Sequence, residues 1–276
     1  MALPLAIATL FLMGVGPLLP WVQADPKVVQ RQAIIPGAIG LLIAGACMLA
    51  GYRGWMPLTV FGLAGFVTVV TLRELFLPAQ QRMTEQKEAL FTAVFVSATR
   101  ARRRFGGYIV HLGIVAIMVA VAASSAYKVH NTGSLKLGES MKIGDYSVRF
   151  DGLDKGKEPH REWISANLTV IEPGGQEIRS HGTSAPRMNF YERSNDPVGS
   201  PSVTEMVLRD VYVSLLSYDA QANTASFNMW VFPLVGWIWY AIPLLVLGTL
   251  IALWPQRKQK PVPAAEPAAD AVPGAP

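Results

Sequence analysis

Cysteine is almost missing from this sequence: Cys47 is the only one in 276 residues. A disulfide framework is therefore excluded, and so is any Cys-x-x-Cys pair for redox exchange or covalent haem attachment. Charge is scarce as well. Asp, Glu, Lys and Arg make up 16% of the chain, well below the roughly 25% of ordinary soluble domains. No zinc-type Cys/His spacing, nucleophile–base pair, phosphate loop or paired-carboxylate spacing is present, which leaves no ready-made hydrolytic or phosphoryl-transfer centre. The net charge of +5 does not mark a nucleic-acid binder. The basic residues stand beside apolar blocks, where the positive-inside rule puts them, and no RNA-binding aromatic signature accompanies them.

What the chain has in excess is apolar sequence, 51% of all residues, gathered into blocks. Ala2 to Val22, Ala33 to Ala50, Trp55 to Leu72, Gly107 to Tyr127 and Met229 to Trp254 each read as one membrane-crossing helix, at ~1.5 Å per residue across ~30 Å of hydrocarbon. The predicted fold is a polytopic α-helical membrane protein of about five spans with one small β-rich domain on the outer face. Its parts are three transmembrane helices in 1–72, a cytoplasmic amphipathic linker in 73–106 and a transmembrane helix in 107–127. The β-rich domain follows in 128–228, then a transmembrane helix in 229–254 and a disordered cytoplasmic tail in 255–276. Orientation follows from Arg100, Arg102, Arg103 and Arg104 before the fourth span and Arg257, Lys258 and Lys260 after the fifth, both expected in the cytoplasm. Lys27 and Arg31 then lie inside and only Arg53 falls in the short outer loop, with the N-terminus outside. A chain that begins directly in a span suggests the later part of a longer ancestral protein. The competing reading makes residues 1–24 a signal peptide ending at Val22-Gln23-Ala24, but no positive charge precedes the apolar run, and cleavage would leave Lys27 and Arg31 outside.

In the linker, Leu90, Phe91, Val94, Phe95 and Ala98 share one helical face, suited to lying on a membrane surface or to docking a partner. In the outer domain, Ile164, Ala166, Leu168 and Val170 alternate with Trp163, Ser165, Asn167 and Thr169, a period of two that marks a strand. Glu172-Pro173-Gly174-Gly175 turns the chain. Val211, Val213 and Leu215 repeat the alternation, and the whole reads as a small sandwich or barrel. Pro261 onward is too poor in bulky side chains to pack.

One residue inside a span carries chemistry. His111 lies seven residues past Arg104, hence ~10 Å into the fourth helix. A polar ring there needs a partner, because unsatisfied polar groups in hydrocarbon cost several kcal/mol. Intramembrane ionisable residues point to function, while an interhelical hydrogen bond, worth only ~0.6 to 2 kcal/mol, is the plain alternative. Gly106, Gly113, Ala116, Ala120 and Ala123 form a small-residue stripe for close packing. At ~100° per residue His111 lies on roughly the opposite side, with Gly107, Val115, Met118 and Ala122. An imidazole beside small residues suits a bulky flat ligand such as haem, whose iron takes an imidazole nitrogen as axial ligand. No other span holds a histidine, so a second axial ligand would come from a partner chain. His130, His160 and His181 read as solvent-facing. Trp230, Trp237, Trp239 and Tyr240 read as an aromatic belt at the lipid–water boundary, with a haem-stacking platform as the rival. Tyr191, Glu192, Arg193, Glu205 and Asp210 are candidates for a docking face.

The stretch from Arg102 to Gly113, Arg-Arg-Arg-Phe-Gly-Gly-Tyr-Ile-Val-His-Leu-Gly, resembles a signature of the CcmF family, the membrane haem lyases of cytochrome c maturation. Met13 to Trp21 is similar to an earlier family span. Pro186 to Leu216, with Tyr191, Thr204-Glu205 and Asp210-Val211-Tyr212-Val213, is similar to the family's last outer domain, and Phe232 to Trp239 to its final span. The resemblance implies that His111 is one of two transmembrane histidines ligating a permanent b-type haem. That haem is thought to supply the electron that keeps the incoming haem iron ferrous while thioethers form with apocytochrome c. The Trp-rich WWD segment, the outer-face haem-ligating histidines and the second transmembrane histidine are absent from this sequence. The resemblance therefore implies a separately encoded C-terminal half whose partners are an N-terminal CcmF-type half carrying the WWD segment, the haem chaperone and thiol-handling maturation proteins, apocytochrome c and the lipid bilayer, with haem b as cofactor. Two rivals stand beside it. One is a non-catalytic membrane scaffold recruiting apocytochrome c or other maturation factors. The other is a transporter subunit, which lacks support because there are no paired broken helices or inverted repeats and His111 has no charged companion in another predicted span.

Overall fold

A computed structural model describes residues 2–19, 26–194 and 196–255. The boundary at Val22-Gln23-Ala24, the basic residues Arg257, Lys258 and Lys260 and the Pro/Ala-rich tail lie outside the described residues. The helices are α1 (Ala2–Val15, extended by a 3-10 turn over Gly16–Leu18), α2 (Pro26–Leu49), α3 (Trp55–Gln86), α4 (Leu90–Arg100), α5 (Arg102–Ala126) and α6 (Trp237–Leu253). Three of them, α2, α3 and α5, are long and apolar enough to cross a membrane; α1, α4 and α6 are shorter apolar helices. Large apolar side chains on the helices stay exposed, such as Leu41 at 76% and Leu49 at 87%. A surface of that kind is stable only against lipid or another protein.

The helical ends sort into two levels. At one level the Arg73 guanidinium reaches the Gln32 carbonyl at 3.5 Å, Arg104 pairs with Glu74, and Arg102 donates to the Pro255 carbonyl at 3.0 Å. At the other, the Tyr127 hydroxyl donates to the Arg53 carbonyl at 2.8 Å, and the Tyr127 ring meets Tyr52 edge-on. Thus α3 and α5 run antiparallel, and all the basic residues of the first set share one end. The inner part of the bundle is Ala6 and Leu10 of α1, Val60, Ala64 and Val67 of α3, and Val115 and Ala122 of α5.

The span expected from Trp55 to Leu72 does not stop there. Its helix α3 continues to Gln86, where Lys87 turns left-handed (φ 54°) and ends it. In α4, Ala93 and Ser97 are the buried residues, while Phe91 and Phe95 are 88% and 70% exposed. Its apolar face therefore looks away from the rest of the described chain.

The β-rich domain has strands β1 (Val129–Lys136), β2 (Ser140–Ile143), β3 (Tyr146–Glu158), β4 (Arg161–Ile171), β5 (Glu177–Ser180), β6 (Arg187–Tyr191), β7 (Val198–Ser200), β8 (Ser202–Thr204), β9 (Arg209–Asp219) and β10 (Thr224–Pro233). One sheet runs β1-β10-β9-β8 and the other β2-β3-β4-β6-β7, with β5 beside β4. All recorded pairings are antiparallel. The inward faces, including Val148, Phe150, Ala166, Leu168, Val213 and Phe227, make one core. Ser165 and Thr169, on the opposite face of β4, are buried as well, so this central strand is covered on both sides rather than one. The Glu172 turn closes as read, with the Gly175 amide donating to the Glu172 carbonyl at 2.9 Å.

The span expected from Met229 needs correction. Ala225, Phe227, Met229 and Val231 alternate inward along β10, so the strand takes the first five residues of the apolar run and the domain extends to Pro233. Helix α6 covers only Trp237–Leu253. The switch is made at Leu234, held at φ 57°, a conformation that costs a leucine ~1 kcal/mol or more. Its amide donates to the Leu208 carbonyl at 2.8 Å, and Trp237 donates Nε1–H to the Val207 carbonyl at 2.9 Å. Trp230 accordingly leaves the proposed aromatic belt: it sits on β10, stacked on His130.

Helices α5 and α6 pack backbone to backbone. A β-carbon on Gly248 would lie 2.7 Å from the Gly106 carbonyl oxygen, and one on Gly106 would strike Gly248 and Ala252. A β-carbon on the neighbouring Gly107 would meet nothing. Gly106→Val should therefore destabilise the detergent-solubilised chain by about 1–3 kcal/mol or more through overpacking. Gly107→Ala should be neutral or slightly stabilising, since alanine favours helix over glycine by up to ~1 kcal/mol. Thermal melting of the two variants, by circular dichroism in one detergent, checks the contrast.

Candidate functional site

Helix α5 brings His111 into the bundle on the side away from α6. Gly106 and Gly113 of the small-residue stripe contact α6 at Gly248, Ala252, Leu245 and Ala241. The His111 side is not uniformly open. Further along the helix, Val115 and Ala122 are buried against α1 and α3, with Met118 packed beside them. Gly107, one turn before His111, has free space beside it: a β-carbon there would meet nothing. His111 is half-buried. Its Nδ1 is buried and has no hydrogen-bond partner among the described residues. An orphaned polar atom of that kind calls for a physical explanation, and an imidazole is a chemically fitting donor for haem iron.

Polar groups missed by sequence reasoning lie next to this ring. The Tyr108 ring meets His111 edge-on, with centroids 5.8 Å apart and planes at 81°. The Tyr108 hydroxyl donates to Glu74 Oε2 at 3.3 Å, and the same carboxylate pairs with Arg104. The Glu74 side chain is only 15% exposed. Glu74 falls two residues beyond the predicted end of its span, so it read as part of a linker; because α3 continues unbroken, it faces α5 instead. Thr71, one turn earlier on α3, is wholly buried, and its hydroxyl also lacks a partner among the described residues. The only available signal was the pairing of one acidic residue after a span with a basic cluster before the next.

A cavity of about 710 Å³ opens between α2, α3 and α5 below the β domain, lined by Ile43, Cys47, Phe61, Leu112, Val115 and Trp237 among others. His111 does not line it. Among the described residues no group of three or more His, Cys, Asp or Glu side chains is arranged to hold a metal ion.

The outer domain separates the residues proposed as a docking face. Tyr191 pairs with Arg161 at the tip of the β3–β4 hairpin, and the Glu192 amide bonds the His160 carbonyl there. Asp210 lies at the other end, beside Gly236 at the start of α6. The Arg209–Asp145 ion pair at 2.7 Å ties that end to the start of β3. With 13 residues in β3, the two groups stand on the order of 40 Å apart at ~3.3 Å per residue. They do not form one face. Asp210 is buried, which pushes its carboxyl up from the ordinary range, against a hydrogen bond from the Met206 amide. His130, His160 and His181 are exposed, but His130 is not idle: it stacks on Trp230 at 4.7 Å and bonds Asn228 and Thr132. His181 stands 3.6 Å from Asp151, which is gripped by Arg149 at 2.8 Å and by the Thr169 hydroxyl at 2.5 Å. Burial works against the Asp151 carboxylate, but the Arg149 and Thr169 hydrogen bonds outweigh it and hold its pKa below the ordinary value.

No family model matches the chain. The chain is 26% identical over 246 residues to the cytochrome c-type biogenesis protein CcmF of Haemophilus influenzae, covering 89% of this chain and 36% of that protein. It is 27% identical over 251 residues to the cytochrome c-type biogenesis protein CycK of Rhizobium meliloti, covering 90% and 36%. The solved structure of the cytochrome c heme lyase CcmF superposes with a TM-score of 0.73 at 25% identity, over 92% of this chain and 39% of that one. The chain thus spans little more than a third of the length of the relatives it matches.

The Asp151 cluster yields a pH test. A carboxylate whose folded pKa is depressed adds stability that is complete above its unfolded value near ~3.9 and disappears as pH falls through the folded value. Asp151→Asn should lower the melting temperature of the β domain at pH 7. It should also flatten the further decline seen in the parent between about pH 5 and pH 2. Melting followed by tryptophan fluorescence across that range reads both effects.

Proposed function

We propose that this chain, a partial CcmF-type protein, is one subunit of a membrane haem lyase that attaches haem covalently to apocytochrome c. In this reading α1, α2, α3, α5 and α6 are five spans, and the β domain stands on the periplasmic face of the inner membrane. The level shared by Arg31, Arg73 and Arg100–Arg104 is cytoplasmic, in keeping with the positive-inside rule. The 17 residues of α6 reach ~25 Å, enough for a thin bilayer once Trp254 and the strand–helix turn at Leu234 occupy the interfaces.

His111 is the residue that holds the cofactor. It is the only histidine in the described helices, and its buried, unpartnered Nδ1 is the observation that carries the reading; the free space at Gly107, one turn away, leaves room on the same side of α5. A b-type haem bound there supplies a one-electron ferric–ferrous couple. The chain's own part would be to present the His111 imidazole to the iron, pack the apolar residues of α1, α3 and α5 beside that side of the helix, and hold the β domain above it. The second axial ligand and the WWD segment come from an N-terminal CcmF-type half. The haem chaperone, the thiol-handling maturation proteins and apocytochrome c engage the assembly from outside.

The test is co-expression of the tagged chain with that N-terminal half, purification in detergent and reduced-minus-oxidised visible spectroscopy. The parent complex should show a b-type spectrum. His111→Ala should lose it while the two halves still co-purify. Gly107→Leu, which fills the open space without touching α6, should lower haem content several-fold with the chain's own melting temperature unchanged. Equal haem in parent and His111→Ala, or none in either despite association, would make His111 structural and the chain a scaffold recruiting apocytochrome c.

A further inference from the structure

The chain has a carboxylate inside its helical bundle that the haem-ligand reading does not use. Glu74 belongs to α3, not to the helix that carries His111, and its side chain is 15% exposed. A carboxylate so little exposed is costly and persists where it is paired and hydrogen-bonded. Glu74 accepts from Tyr108 at 3.3 Å and pairs with Arg104, both one or two turns before His111 on α5. The Tyr108 ring in turn abuts the imidazole edge-on. A continuous line of contacts therefore runs from the α3 carboxylate to the α5 imidazole.

Simple docking of two helices does not need this arrangement. Arg104 is 53% exposed, so an ion pair at the rim alone would contribute little. The tyrosine is different: it spends its hydroxyl on the same carboxylate and thereby fixes its ring against His111. The line has two consequences at the imidazole. The rotation of α5 about its axis is fixed relative to α3, which sets the direction in which His111 points. A negative charge is also held on the order of two helical turns (~11 Å) from the ring, on a carboxylate that is only 15% exposed.

We propose that Glu74, acting through Tyr108, is the positioning residue for His111 and lowers the reduction potential of the haem iron that His111 ligates. The inference rests on the ligand reading above. A negative charge stabilises the ferric over the ferrous state, so its removal favours reduction. At ~12 Å and an effective dielectric of ~20, one charge changes the equilibrium by about tenfold, and the partly exposed Arg104 reduces this to roughly three- to tenfold.

The experiment is a redox titration of the purified two-half complex, followed at the reduced haem band, for the parent, Glu74→Gln, Glu74→Asp and Tyr108→Phe. Glu74→Gln should keep the haem and raise the ferrous-to-ferric ratio at a fixed ambient potential by about three- to tenfold. Glu74→Asp, which keeps the charge, should restore most of the parent ratio. Tyr108→Phe should shift the ratio in the same direction by less, and change the low-temperature electron paramagnetic resonance g-values that report ligand orientation. If Glu74→Gln does not assemble, Tyr108→Phe decides: altered g-values support the positioning role, and unchanged ones overturn it. Haem present with ratio and g-values unchanged in the variants overturns the inference and leaves His111 as ligand. A parent without haem, or haem retained in His111→Ala, overturns the ligand reading and the inference with it.

Discussion

Helices α5 and α6 approach so closely that neither Gly106 nor Gly248 has room for a side chain, and much of the rest hangs on that contact. The two helices continue directly into β1 and β10, which pair with each other from Val129 and Val231 onward. Helix pair and strand pair are thus one long antiparallel hairpin crossing from the bundle into the domain. In hydrocarbon there is no hydrophobic drive to bring helices together, so association depends on close van der Waals packing, which small residues permit. The glycines are therefore what sets the domain at a fixed attitude above the bundle. They also decide which side of α5 is left for chemistry.

The consequence for His111 is geometric. With one side of α5 taken by α6, the imidazole points to the side that α1 and α3 cover only in part. Val115 and Ala122 are buried, whereas a β-carbon on Gly107 would meet nothing. Glu74, Arg104 and Tyr108 are in mutual contact at the Gly107 end, with the orphaned Thr71 hydroxyl one turn from Glu74 and the His111 ring against Tyr108. The bundle therefore carries a charged cluster at one end and a largely apolar cavity at the other, below the β domain.

How far this was readable from sequence depended on how many neighbours each feature needed. Three helices long and apolar enough to cross a membrane follow from runs of apolar residues, which are local. The strand alternations at Ala166–Val170 and Val211–Leu215 are local too, and both sets face the core. The stretch from Met229 misled because a strand buried on its inward face and a lipid-facing helix are both apolar, and the boundary at Leu234 has no Gly or Asn to announce its positive φ. Glu74 was misread because the depth of a residue depends on where its helix ends, and α3 runs 14 residues past Leu72 to Gln86. The docking face at Tyr191 and Asp210 failed for a third reason: closeness in sequence of the two groups says nothing about which ends of long strands they occupy.

The open place at Gly107 bears on what completes the bundle. On the α6 side, glycine is used to bring a second backbone within contact distance. The helix repeats the device on the other side, with Gly107 beside Gly106 in sequence but about 100° around the axis, and there the described residues supply no backbone to meet it. A glycine in a helix interior costs up to ~1 kcal/mol relative to alanine, and neither a turn nor a positive φ at this position offsets that cost. Lipid chains would gain nothing from the missing methyl group. Close approach by a rigid flat group or another helix does gain from it, and His111 one turn away is the donor such a group would meet. The same free space is what a bundle with one histidine in its described helices requires if a second ligand is to come from outside.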